Sequence, residues 1–174
     1  MKEKYYKYAH LLLERGLCIN ENEPLLINAP IEAIDFVRVL TEVACSLGVD
    51  DIYFDWYDEE LKHTELKYYN NESIKKSNFW HKSIHNEYAK KNAAFLFLTT
   101  YHPGIMDDID SKKIKVATNE SIHTREVYRE KQANNQIDWC IASVSTDAWG
   151  KLLFPQSENP KKGPMESNIW YLFD

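Results

Sequence analysis

His81 and His85 stand four residues apart in Trp80-His81-Lys82-Ser83-Ile84-His85, so a helix would set both imidazoles on one face, a common spacing for metal ligands. Lys82 occupies the place where a zinc-protease helix carries its glutamate, and no third ligand follows at matching spacing. The pair is therefore expected to be two solvated histidines on a charged helix, with no metal. A second group, Asp55, Asp58, Glu59 and Glu60, crowds the end of a strand. Helix capping and acids favoured by the helix dipole account for the group as a whole. If one member does more it is Asp55, which could point into a cleft and meet a cation or a substrate amine. Asp107, Asp108 and Asp110 lack the glycine and closing glutamate of a calcium loop and read as a solvated loop. His102, after the third strand and beside Pro103, reads as a structural turn residue.

Other chemistries can be tested directly. None of the five glycines falls in a dinucleotide or P-loop arrangement, and no G-x-S-x-G elbow is present. Cys18, Cys45 and Cys140 are far apart and odd in number, which suggests reduced core thiols in place of a disulfide frame. Cys45 is expected on a core helix face and Cys140 mid-strand, so neither is a promising nucleophile. A net charge of −6 without a basic run argues against nucleic acid as a partner. No segment has the length of a membrane span and the N-terminus lacks a signal core, so a cytoplasmic location is expected.

The elements that must position these residues alternate between helix and strand. Helices are expected over Lys2–Arg15, Ile31–Leu47 and Glu59–Tyr69, a weaker one over Glu72–Lys91, and another over about Lys113–Gln132. Ile34, Val37, Leu40, Thr41, Ala44 and Cys45 would form the inner face of the second. Strands are expected at Leu25–Ala29, Asp51–Trp56, Ala93–Thr99 and from Ile137 to Val144. The last begins a stretch running to Pro155 around which the chain looks arranged. Its near-continuous apolar run suggests burial on both faces, and Thr146 suits the N-cap of a short helix over Asp147–Leu153. The predicted class is α/β: a mainly parallel sheet of about four strands with helices on both faces, of the doubly wound type. Its cleft is expected at strand ends, with a rim near Ser143, Ser145 and Thr146.

Residues 1–155 are expected to form the α/β domain. Residues 156–174 would be a linker, QSENPKKGPM, and the start of a truncated interdomain segment ending in Ile169–Phe173. Spacing alone leads to a cytosolic α/β domain with no complete active site.

Four ordered stretches carry a resemblance. YAHLLLERGLCINENEPLLI, LLINAPIEAIDFVRVLTEVACSLGVDDIYFDWYDEEL, AAFLFLTTYHPGIMDDID and NNQIDWCIASVSTDAWGKLLFP are similar to the N-terminal domain of thermophilic-type metallo-aminopeptidases, the aminopeptidase T and aminopeptidase S group. The matching details are Asp55-Trp56-Tyr57-Asp58, Ala148-Trp149 and Phe154-Pro155. The resemblance implies removal of N-terminal amino acids from peptides. It also implies two divalent ions of the zinc, cobalt or manganese type, held in a C-terminal domain absent from this chain. No catalytic or metal residue is carried over. Asp55, Trp56 and Trp149 become possible cleft-wall residues, and this chain alone is expected to bind no cofactor and to be inactive. The partners implied are peptide, the chain's own C-terminal domain and, at full length, further copies of itself. The rival expectation is a stand-alone binding or interaction module of the same fold.

Overall fold

The computed structural model describes residues 2–76, 79–100, 102, 104–146 and 149–150, with backbone alone for 79–82. Helix α1 (Lys2–His10) runs into a wider π-helical segment, Leu11–Gly16. Strand β1 (Leu25–Pro30) leads through one 3-10 turn, Ile31–Ala33, into α2 (Ile34–Ser46). Strand β2 (Ile52–Tyr57) is followed by α3 (Glu59–Tyr68), α4 (Asn71–Lys76) and α5 (Phe79–Lys90). Strand β3 (Ala94–Thr99), α6 (Ser111–Thr124), α7 (Glu126–Ala133) and β4 (Trp139–Ser143) complete the described elements.

All pairings in the four-stranded sheet are parallel, in the order β2-β1-β3-β4. Helices cover both faces, as the alternating pattern predicts. On one face Leu25, Ile27, Leu96 and Leu98 pack with α1, the π-helical segment and α2 through Tyr5, Leu13, Phe36, Val37 and Leu40. On the other, Leu26 and Phe95 meet Tyr88 and Ala89 of α5 and Tyr128 of α7. A third, smaller cluster joins Leu66 of α3, Ile74 of α4 and Ile109, with Met106 and Ile114 against it.

The three helices that directly precede strands β2, β3 and β4 end alike. Gly48, Asn92 and Asn135 take φ of 89°, 58° and 52°. The next residue's N–H then reaches back to a carbonyl inside the helix: Val49 to Ala44 (3.1 Å), Ala93 to Tyr88 (3.0 Å) and Gln136 to Lys131 (2.9 Å). Glycine and asparagine adopt this left-handed geometry at low cost, so the sequence marks each turn back into the sheet.

Several expectations need correction. Among the described residues strand β4 is an outer strand, and β1 and β3, between the other two, are the most buried. Cys140 and Ala142 turn toward the first core, whereas Trp139 and Ile141 on the other face are 42% and 61% exposed. An apolar run does not by itself distinguish two-sided burial from an edge position. On α2 the inner stripe is Phe36, Val37, Val39, Leu40, Val43 and Ala44, rotated from the expected one, which leaves Ile34 and Cys45 exposed. Cys18 is exposed too, so it and Cys45 are not core thiols. Each of the three longest expected helices other than α2 is divided. The first changes to π-helix at Leu11, and the last breaks at Arg125 (φ −109°, ψ 36°). The region expected as one helix over Glu72–Lys91 is α4 followed by α5.

Thr146 does act as an N-cap: its Oγ1 accepts from Trp149 N–H (3.4 Å) and its carbonyl from Gly150 N–H (2.9 Å). The remainder of that helix, the boundary after residue 155 and the apolar end at Ile169–Phe173 lie outside the described residues.

Leu96, fully buried on the central strand β3, and Leu61, 66% exposed on α3, give the first test. Leu96→Ala should lose about 2–5 kcal/mol in urea unfolding, and Leu61→Ala should stay within about 0.5 kcal/mol of the parent.

Candidate functional site

Strands β1 and β2 are in a register that places Asn28 beside Asp55. Both residues fall on the sheet face covered by α5 and α7. Asn28 Nδ2 donates to Asp55 Oδ2 at 3.0 Å and to the Asp55 carbonyl at 3.1 Å. Asp55 is only 4% exposed, and His85 of α5, at 0%, brings Nε2 to 3.6 Å from the same carboxylate oxygen. The imidazole lies parallel to Phe95 and Phe97 and edge-on to Tyr128. His85 is thus a core residue beside a carboxylate, which corrects the expectation of a solvated histidine. The side chain of His81 is outside the described residues.

The third member, Arg125, sits where α6 gives way to α7. Burial pulls its guanidinium below the usual value, and the negative charge of Asp55 opposes that pull. Asn86 of α5 holds the helix break in place. Its Nδ2 donates to the Thr124 carbonyl (2.9 Å), while its Oδ1 accepts from Tyr128 N–H (3.2 Å). The last carbonyls of α6 and the first amides of α7 would otherwise be short of partners, so a single amide side chain repairs both ends.

Asn28, Asp55 and Arg125 line one side of a cavity of about 660 Å³ at the carboxyl ends of β1 and β2. Helices α3 and α6 wall it, and the third apolar cluster supplies Leu66, Ile74, Met106 and Ile114. A cleft of this sheet therefore lies here among the described residues, at the ends of β1 and β2. Among the lining acids, Asp58 is spent as a cap, its Oδ1 accepting from Glu60 and Leu61 N–H at 2.8 and 2.9 Å. Glu65 faces Lys62 at 3.6 Å. Glu59 differs: burial pushes its carboxyl up, with Glu32 and Asp58 adding repulsion and His102 opposing them. His102 Nδ1 is 4.0 Å away, and Glu59 Oε2 has no hydrogen-bond partner among the described residues. Arg125 Nε is likewise buried and unmatched. Each such atom forgoes about 1–3 kcal/mol of solvation.

Of the three cleft-wall candidates, Asp55 and Trp56 both line the cavity and Trp149 does not. Strand alternation sends the Trp56 ring to the opposite sheet face, where it stacks on Phe54 at 6.1 Å and packs against the first core. Asp108, expected in a solvated loop, is exposed but held by His63 (2.6 Å) and Lys67 (2.9 Å), which together draw its carboxyl down to about 2. Asp110 caps α6 through Lys112 N–H (2.9 Å). Sequence reasoning missed Arg125, Asn86 and the inward position of His85. The signal for Arg125 was present: Ile114, Ala117, Ser121, Arg125 and Tyr128 recur at helical spacing, placing a cation on an inward stripe.

Known proteins bear on what such a site serves. The family model described as thermophilic metalloprotease (M29) matches residues 1–168. This chain belongs to the M29 family. It is 30% identical to aminopeptidase 2 of Geobacillus stearothermophilus over 148 residues, which is 85% of this chain and 36% of that protein. Aminopeptidase AmpS of Bacillus subtilis (strain 168) is 26% identical over 88% of this chain and 37% of its own length. The solved structure of wild-type AmpT from Thermus thermophilus superposes with a TM-score of 0.84 at 23% identity, over 98% of this chain and 42% of that one; it shows a shared fold. The chain thus spans less than half the length of these relatives. M29 proteins are metalloproteases, yet the described residues contain no group of three or more His, Cys, Asp and Glu able to hold a metal ion. Asp55 and His85 are two such groups against an aromatic wall, too few for a metal centre of this kind.

Two outcomes follow from this geometry. Asp55→Asn, which removes the carboxylate facing His85 and Arg125, should cost about 3–5 kcal/mol in chemical unfolding. Tyr57, whose hydroxyl donates to the Leu98 carbonyl at 3.0 Å, and Tyr128 are both pushed up to about 12 by burial. A phenol raised in the folded state stabilises it fully below the unfolded value of 10.0, and that contribution is lost as pH rises from there to about 12. An alkaline titration followed by tyrosinate absorbance should show these two ionising late, with unfolding in the same interval.

Proposed function

We propose that this chain is the N-terminal domain of a metallo-aminopeptidase that removes amino-terminal residues from peptides, and that the two-metal catalytic centre belongs to sequence outside these residues. The observation that carries this reading is the combination of an M29 match over residues 1–168 with coverage of only 36% of aminopeptidase 2. The metals of such a centre activate water and polarise the scissile carbonyl. No step of that chemistry is assigned to residues of this chain, because the described ones do not assemble the ligands. The domain's contribution is one wall of the substrate cleft, with Asp55 and Trp56 as its candidates, together with a surface for the catalytic domain. Trp149, at the start of the helix after β4, belongs to that surface in this reading. A cytoplasmic location fits the absence, among the described residues, of a helix long and apolar enough to cross a membrane. Self-association at full length is part of the same proposal.

The second reading, a binding module that functions without catalysis, is favoured by a cavity of about 660 Å³ at the carboxyl ends of β1 and β2. Assay decides between them. Purified chain incubated with leucine p-nitroanilide and zinc, cobalt or manganese should give no hydrolysis above the metal blank. Adding the remaining portion of an M29 aminopeptidase, as a separate chain or a fusion, should produce it. Turnover by this chain alone would overturn the assignment of the metals elsewhere, and failure of the fusion while both parts are folded would favour the binding module.

A further inference from the structure

We propose that helix α3 is a lid over the cavity at the ends of β1 and β2, held shut by an ionic clasp centred on Asp108. The proposal goes beyond the aminopeptidase reading and stands apart from it, because it concerns only how this cavity opens.

Five residues of α3 line the cavity: Glu59, Leu61, Lys62, Glu65 and Leu66. The helix covers that space without being packed firmly into a core. Leu66 is its one buried residue, against six on α2, while Leu61 and Tyr68 are exposed. A helix of ten residues is too short to keep its shape in water alone, so α3 depends on contacts from outside. Two of its own side-chain contacts, Thr64 to the Glu60 carbonyl and Lys62 to Glu65, run within the helix and do not attach it to anything else.

Apart from Leu66, the attachments of its C-terminal half among the described residues are polar. His63 Nε2 and Lys67 Nζ, one turn apart, meet the two carboxylate oxygens of Asp108 at 2.6 and 2.9 Å. Lys113 Nζ donates to the Leu66 and Lys67 carbonyls at 2.9 and 3.0 Å, which the helix end would otherwise leave open. Asp108 and Lys113 flank the start of α6, the opposite wall, and Ile109 anchors that turn in the third cluster. The other end of α3 is short of slack: Asp58 alone separates it from β2 and caps it. A cover hinged beside the sheet and fastened at its far end by exposed charges opens at the far end. Lys67 and His63 draw the Asp108 carboxyl down to about 2, so the clasp stays charged through the neutral range. Lys67 and Asp108 are each about half exposed, and salt therefore screens their attraction.

Hydrogen exchange of the whole chain, read by mass spectrometry, tests the lid. Amides from Lys62 to Tyr69 should exchange faster than those of β1 and β3. Sub-denaturing urea should change their rate little, since a local opening exposes little surface. Asp108→Asn should speed the α3 amides about threefold or more and leave both strands unchanged. Sodium chloride at about 0.5 M should do the same to the parent and little to the variant. Access to the cavity is read from Ile74→Cys, at a buried position of the lining, with a maleimide; peptide mapping separates that label from those on exposed Cys18 and Cys45. Adding Asp108→Asn should speed labelling at position 74 by a similar factor. Circular dichroism reports whether each variant is folded, and if Ile74→Cys is not, the exchange data decide. Exchange of α3 as slow as that of the strands would overturn the proposal, as would an Asp108→Asn variant indistinguishable from the parent. Faster exchange without faster labelling at position 74 would overturn it too, because the motion would then not open the cavity.

Discussion

A carboxylate taken out of water has to be met by donors, and Asp55 imposes that requirement on most of the second face of this sheet. At 4% exposure its oxygens must find their partners within the protein. Three separate elements supply them: Asn28 from the neighbouring strand, His85 from α5 and the charge of Arg125 from the α6–α7 junction. Their positions are not independent. Asn28 meets Asp55 only in the observed register of β1 and β2, and a slip of one residue would turn Asn28 to the other face. The carboxylate therefore specifies strand register and helix placement together.

The two cores divide the labour around this constraint. The first, between the sheet and α1 with α2, is apolar and has the most members of the three clusters. The second carries the polar pair within an aromatic shell of Phe95, Phe97 and Tyr128. Buried polar groups are a weak source of stability but a plain source of specificity, since few alternative packings satisfy them. Rigid placement of Asp55 and Arg125 is what a cavity floor needs, and it comes from the same contacts that fix the fold.

The alternation of helix and strand made the layer architecture legible, because apolar runs bounded by Gly48, Asn92 and Asn135 mark where helices end and strands begin. The resemblance of the four ordered stretches to metallo-aminopeptidases was legible as well, and the M29 match agrees with it. What escaped were orientations. Ile137–Val144 has the composition of an inner strand, yet its place in the sheet depends on pairings far away in sequence, and among the described residues β4 pairs with β3 alone. His85 sits among Lys82, Ser83, Asn86 and Glu87, a polar neighbourhood in sequence, while its contacts come from β2, β3 and α7. Asp55 could be singled out because it ends a strand. Its partners could not, because each lies on a different element.

The break at Arg125 shows how the cavity and the fold arise from one arrangement. Helix α7 is anchored in the second core through Tyr128, whereas α6 packs toward the third cluster through Ile114. A straight helix has one inward stripe, and two clusters lying in different directions cannot both be served by it unless the chain turns between them. The turn is made at Thr124–Arg125, and Asn86 satisfies the backbone groups it exposes. The residue at the corner, Arg125, also lines the cavity. An arginine there loses water, is steadied by the Asp55 charge, and keeps one buried donor unmatched. One bent segment thus joins two apolar clusters, and the corner between them is where Arg125 is buried.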